Sequence, residues 1–109
     1  MMHFYNFTTT DYYMKRDGVG IKSITGKKSQ LCLIKLDPGM TTYHRHAQEQ
    51  IGYIMSGKVR VTIDEDARML GPGEGYCIPG NTPHEFSVDG DESVEYVEIF
   101  SPPKEENIT

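Results

Sequence analysis

Apolar and polar residues alternate with a period of two along much of this chain. In residues 58–64, KVRVTID, Val59, Val61 and Ile63 fall on one side and Arg60, Thr62 and Asp64 on the other, as in a strand with one buried and one wet face. Similar short runs rich in Val, Ile, Tyr and Thr recur between clusters of Gly, Pro, Asp and Asn, with no long apolar period of 3.6 residues. The pattern predicts an antiparallel all-β domain with little helix. Strands are expected near 19–25, 30–36, 41–46, 50–56, 58–64, 74–79, 83–88 and 93–100, parted by DPG, SG, LGPGE and PGNT. That spacing suits a sandwich or barrel. One run departs from simple alternation: in QIGYIMS, residues 50–56, neither face is plainly polar. Both sides of that strand call for cover, from the N-terminal HFYNF or from a second copy of the chain, and a homodimer is expected.

At 109 residues the chain fits one compact domain. The expected division is an N-terminal arm at 1–18, contacting the dimer partner, a barrel at 19–101 and a C-terminal tail at 102–109. The tail's prolines and charges suit an exposed arm. No segment reaches the ~18 uninterrupted apolar residues of a membrane helix. The opening MMHFYNFTTTDYY lacks the basic start and apolar stretch of a secretory signal, so the expected location is the cytoplasm. A net charge of −5 with scattered basic residues argues against a nucleic-acid groove. An anionic small ligand would need a local basic group. Cys32 and Cys77 sit in the apolar runs LCLI and YCIP and read as two small buried hydrophobes rather than a disulfide or a thiolate zinc site.

The candidate chemistry lies in the histidines. Side chains two apart on a strand share a face, so His44 and His46 can present two imidazoles together. His84 follows the rigid turn IPGNTP, which suits a fixed third donor. Imidazole sites for zinc, nickel, iron or manganese use three or more protein donors and leave open positions. Gln50 has the parity of His44 and His46 and Glu49 the opposite one, but a turn at AQE would reset the count, so both stay open as the fourth donor. The alternative is a set of core histidines satisfied by backbone groups. His3, near the chain start, reads as solvated.

The stretch PGMTTYHRHAQEQIGYIMSG resembles the first cupin motif, with Gly39, His44, His46, Gln50 and Gly57 at its fixed places. GEGYCIPGNTPHEF resembles the second through Gly73, Pro79, Gly80 and His84, although Val88 stands where an asparagine is frequent. The likeness covers about residues 20 to 101. It implies a double-stranded β-helix, a jelly roll with one divalent transition metal ion in the barrel mouth. It also implies that the metal ligands are His44, His46, Gln50 and His84, with Glu49 outside.

The ending VEYVEIFSPPKEE is similar to that of the single-domain cupins of pectin and alginate breakdown, which linearise unsaturated uronates. This implies a catalytic carboxylate at Glu98, where those proteins carry aspartate. It also implies substrate contacts at Phe100 and at Lys104, where they carry arginine. The expectation is metal-assisted ring opening or isomerisation of a small unsaturated sugar acid. The alternatives are Fe(II)-dependent dioxygenase chemistry and a non-catalytic cupin that binds or senses an anionic ligand.

Overall fold

The computed structural model describes residues 3–108. Ten strands follow one another: β1 (Tyr13–Arg16), β2 (Val19–Thr25), β3 (Gln30–Leu36), β4 (Thr41–His44), β5 (Glu49–Ser56), β6 (Val59–Ile63), β7 (Asp66–Leu70), β8 (Gly75–Ile78), β9 (His84–Ser87) and β10 (Val94–Ser101). A single 3₁₀ turn, Glu105–Asn107, closes the described chain. One sheet has the order β1-β2-β3-β10-β5-β8 and the other β4-β9-β6-β7, with the described pairs antiparallel. This is the antiparallel all-β domain that the sequence pattern predicts and the jelly roll that the cupin resemblance implies.

Alternation in β3, β5, β6 and β10 sends every second residue between the sheets. Ile21, Cys32, Ile34, Leu36, Ile54, Val59, Val61, Ile78, Phe86, Val94, Tyr96 and Phe100 form most of that core. Phe86 stacks on Tyr96 at 5.2 Å between ring centroids. The hairpin from β5 to β6 turns at Gly57, whose φ of 79° is in the left-handed region. A Cβ there would also lie 2.3 Å from the Ser93 carbonyl oxygen, so the motif glycine is required twice over.

Four expectations need correction. The expected N-terminal arm, 1–18, contains a strand that was not expected, β1, which pairs with β2; its mostly exposed side chains give no alternating signal. Strand β7 was not expected, because DARML lies at a sheet edge with four of its five residues exposed. Cys77 is exposed while Cys32 is buried, since the inward positions of β8 are taken by Tyr76 and Ile78. The tail is not an exposed arm: Lys104 and Asn107 are buried, at 6% and 2% exposure.

The run QIGYIMS has Gln50, Gly52 and Ile54 inward and Ile51, Tyr53 and Met55 outward. Part of the sheet's outer surface is covered by the chain start. The Lys22 ammonium donates to the Phe7 carbonyl at 2.7 Å and lies 4.5 Å from the centre of the Tyr12 ring, whose hydroxyl donates to Glu95. That cover stops short of β5, where Ile51, Tyr53 and Met55 remain about half exposed, as does Ile99 beside Ile51.

Candidate metal centre

Strand register gathers the site at one end of the barrel. His44, the last residue of β4, pairs with His84, the first of β9, and their rings lie 6.0 Å apart. β4 ends before His46, so the expected continuous strand through 46 breaks into a bend. The His46 ring nevertheless stands 4.9 Å from His84 and 6.4 Å from His44. Gln50 is 3% exposed and stands in register between Phe100 and Ile78, while its neighbour Glu49 is exposed. Glu98, on β10, lies in register between Gly52 and Cys32. One cavity is lined by His44, Gln50, His84, Glu98, Phe100 and Lys104, and His46 adjoins it against the edge of Phe100. The structure therefore brings together all seven residues singled out in the sequence.

The hydrogen bonds orient these donors. Nδ1 of His84 lies 2.9 Å from the Thr82 carbonyl and Nδ1 of His46 lies 3.1 Å from that of Gln48. A carbonyl only accepts, so each Nδ1–H donates and each Nε2 carries a lone pair. Nε2 of His84 is buried without any hydrogen-bond partner. Nε2 of His46 faces the Gln50 Oε1 at 3.1 Å, and that amide is oriented because its Nε2 donates to Glu98 Oε1. Two electron pairs thus oppose each other. Protonating His46 would relieve them, but burial, and secondarily the Lys104 charge, pull its pKa below the ordinary imidazole value. The pKa of His44 falls to about 4 by desolvation first, then by Lys104 and His84.

A divalent cation would satisfy what a proton does not. Three neutral imidazoles, two of them oriented by Nδ1 bonds, and one amide oxygen suit a first-row transition ion. Among the described residues no three His, Cys, Asp or Glu side chains are drawn together as a group that would hold an ion. The fit rests on donor type, orientation and the orphaned His84 nitrogen.

Glu98 accepts from the Tyr76 hydroxyl at 2.6 Å and from the Gln50 amide, both at Oε1. Desolvation raises its pKa to about 7, against the lowering effects of Tyr76, Lys104 and Gln50. Tyr76 was not foreseen as a site residue. Its signal is Gly52, directly opposite in the β5–β8 register: a Cβ on Gly52 would fall 2.1 Å from the Tyr76 hydroxyl oxygen. The missing side chain lets the phenol cross β5 to reach Glu98. Gly52→Ala is expected to destabilise the protein by about 1–3 kcal/mol, the usual range for overpacking, read by urea unfolding. Tyr76→Phe, which fits the same space, should lose less; equal or smaller loss in Gly52→Ala would refute this account.

Lys104 is held by its backbone. Buried Gln30 donates to the Lys104 carbonyl at 3.1 Å and accepts from its N–H at 3.3 Å. The ammonium sits 5.3 Å from the centre of the Phe100 ring and 2.7 Å from a Glu106 oxygen. Lys15 and Asn107, also missed in the sequence, line the same cavity.

Comparison with known proteins agrees with this architecture. The family model described as the cupin domain matches residues 32–100. An uncharacterized protein of Streptomyces coelicolor is 25% identical over 89 residues, spanning 81% of this chain and 84% of its own. Among solved structures, KdgF from Halomonas sp. superposes with a TM-score of 0.89 at 23% identity, over 99% of this chain and 100% of that one. An RmlC-like cupin from Shewanella frigidimarina gives 0.90 at 20% identity, over 99% and 97%. At such identities the two likenesses show the fold.

Proposed function

This chain belongs to the cupin domain family, and on that premise we propose that it is a metal-binding cupin that opens or isomerises the ring of a small unsaturated uronate. The observation that carries the reading is the placement of Glu98. A buried carboxyl group faces the same cavity as two imidazoles and an amide oxygen, with the third imidazole, His46, beside His84 and Phe100 and with Lys104 lining that cavity. The sequence resemblance at the chain end supports the substrate class.

Opening a cyclic hemiacetal requires removal of the proton on the anomeric oxygen and delivery of a proton to the departing ring oxygen or the adjoining enol. Glu98 is assigned that transfer. Both of its hydrogen bonds fall on Oε1, which leaves Oε2 for the substrate. Tyr76 and Gln50 hold the carboxyl in place. Lys104 receives the sugar carboxylate, and the Phe100 ring supplies an apolar wall. The residues that would hold the ion are His44, His46, Gln50 and His84; when bound, it supplies Lewis-acid polarisation of a substrate oxygen. The test is incubation of metal-loaded protein with 4,5-unsaturated galacturonate under ¹H NMR. Open-chain product at rates above the protein-free control supports the reading, and an unchanged substrate sinks it.

The half-exposed side chains Ile51, Tyr53, Met55 and Ile99 support a second part of the proposal, that two copies pair through this outer face. Contiguous apolar patches on a sheet mark interaction surfaces, and a twofold axis through β5 would set the patch against itself. The chain's own start covers the neighbouring Lys22–Glu95 side and leaves this one bare. Tyr53→Glu is expected to shift the mass in light scattering from dimer to monomer. A wild-type monomer at tens of micromolar would overturn the pairing.

A further inference from the structure

The cavity wall carries a pair of lysines, one of which the proposed chemistry does not use. Lys15 comes from β1 and Lys104 from the tail, far apart in sequence, yet both line the cavity together with His44. Their side chains are 22% and 7% exposed. One carboxylate serves both: Glu106 lies 2.7 Å from the Lys104 ammonium and 3.8 Å from that of Lys15. Lys15 also donates to the Asn107 amide oxygen at 2.7 Å, and Ser23 donates to the Asn107 carbonyl at 2.7 Å. The 3₁₀ turn bearing Glu106 is thereby pinned against the part of the cavity wall formed by Lys15, Lys104 and Asn107.

Two buried or half-buried ammonium groups in a chain of net charge −5 are an uncommon investment for a surface ion pair, which contributes little. Their partner is the weak element, because the Glu106 side chain is 56% exposed. The cavity that the two lysines line measures about 40 Å³. That is room for a few waters at roughly 10–15 Å³ each, and far short of a monosaccharide. A sugar acid can enter only if something at the mouth gives way.

We propose that Lys15 and Lys104 form a two-ammonium subsite for a ligand carboxylate, and that Glu106 occupies it as an internal stand-in which the ligand displaces. The inference rests on the reading of the mouth as a site for a small sugar acid, and it adds Lys15 as a binding residue and Glu106 as the competitor. Displacement exchanges one carboxylate for another, so the lysines stay paired in both states. It also moves the half-exposed end of the tail outward, which enlarges the opening at the moment of binding.

The experiment measures dissociation constants for galacturonate and for neutral galactose by ligand-observed NMR, at matched metal content. The proteins are wild type, Glu106→Gln, Lys15→Met, Lys15→Arg and the control Glu105→Gln, which removes a charge from the same turn at an exposed position. Glu106→Gln is expected to tighten galacturonate by about fivefold, the order of a partly exposed ion pair, with galactose unchanged. Lys15→Met should weaken galacturonate by at least the same factor, and Lys15→Arg should restore it. Unchanged or weaker galacturonate binding in Glu106→Gln overturns the proposal. So does equal tightening by Glu105→Gln, or the absence of galacturonate binding to wild type and Glu106→Gln alike. If galacturonate binding follows this pattern while unsaturated galacturonate is not turned over, the subsite stands and the proposed catalytic reaction falls.

Discussion

His84→Ala is expected to strip the protein of its metal. In wild type the Nε2 of His84 is the one buried side-chain nitrogen or oxygen among the described residues with no partner. Such a group carries a desolvation penalty of about 1–3 kcal/mol unless something binds it. An imidazole oriented by its Nδ1 bond to Thr82 is a donor held ready, and losing even an outer partner of a ligand lowers metal affinity by about 10–100-fold. Removing the donor itself should exceed that. Elemental analysis of untagged protein should give close to one ion per wild-type chain and below about a tenth of that in the variant. Unfolding supplies a second readout. Metal at a hundred times its dissociation constant stabilises the native state by about 2.7 kcal/mol, and His84→Ala should lose that increment while its metal-free stability changes little or rises. His3→Ala, at an exposed position near the chain start, serves as the control and should keep its metal. A His84→Ala protein that retains both its ion and its metal-dependent stabilisation would end the assignment.

What the sequence disclosed, and what it hid, follows from the range of the interactions. Strand β3 lies where the sequence placed it, because one face meets the core and the other does not; β2 also keeps its expected bounds, although Val19, Gly20 and Ile21 are buried in succession. The choice of Gln50 over Glu49 as the inward residue was open on parity and was tipped by the motif. In the structure, β5 starts at Glu49 and continues without a break through Gln50, so alternation alone decides it. His46 comes beside His84 and Phe100 by another route than expected, from the irregular segment after β4 rather than from the strand.

The rest was hidden because it depends on contacts between distant segments. Nothing local in SPPKEENIT announces a buried lysine. Its burial follows from Gln30, 74 residues earlier, whose amide pairs with both backbone groups of Lys104. Tyr76 and Lys15 were invisible for the same reason, since each acts across strands on a residue far along the chain. Even so, the glycine in EQIGYIMS carried a trace of Tyr76. A strand glycine flanked by large residues signals a close approach from a neighbouring strand, and that neighbour is the phenol held against Glu98.

Glu98→Gln is expected to abolish turnover while preserving the fold and the metal. Oε1 of this carboxyl group accepts from Tyr76 and Gln50, and the proposed reaction assigns Oε2 to the substrate. A glutamine can keep Oε1 in both hydrogen bonds and place its NH₂ where Oε2 was. The architecture survives and the proton acceptor is lost. General acid–base groups contribute about 10²–10⁴-fold, so kcat on unsaturated galacturonate should fall by at least 100-fold with KM nearly constant. Glu98→Asp separates position from chemistry. It retains the acid but withdraws it by one methylene, and a displacement of ~1 Å can reduce the rate by about 100-fold. Retained activity in the aspartate variant would mean that the tail and Tyr76 follow the shorter side chain inward. Stability distinguishes catalytic loss from damage. A carboxyl whose pKa rises on folding favours the native state at low pH and loses that contribution as the pH climbs through about 7. Metal-free Glu98→Gln, which has no charge to bury, should therefore match wild type below about pH 4 and exceed it at pH 8. The excess should be on the order of 1–3 kcal/mol at about 1.4 per pKa unit. A variant that turns over substrate within threefold of wild type would remove Glu98 from the mechanism, even if its stability behaved as described.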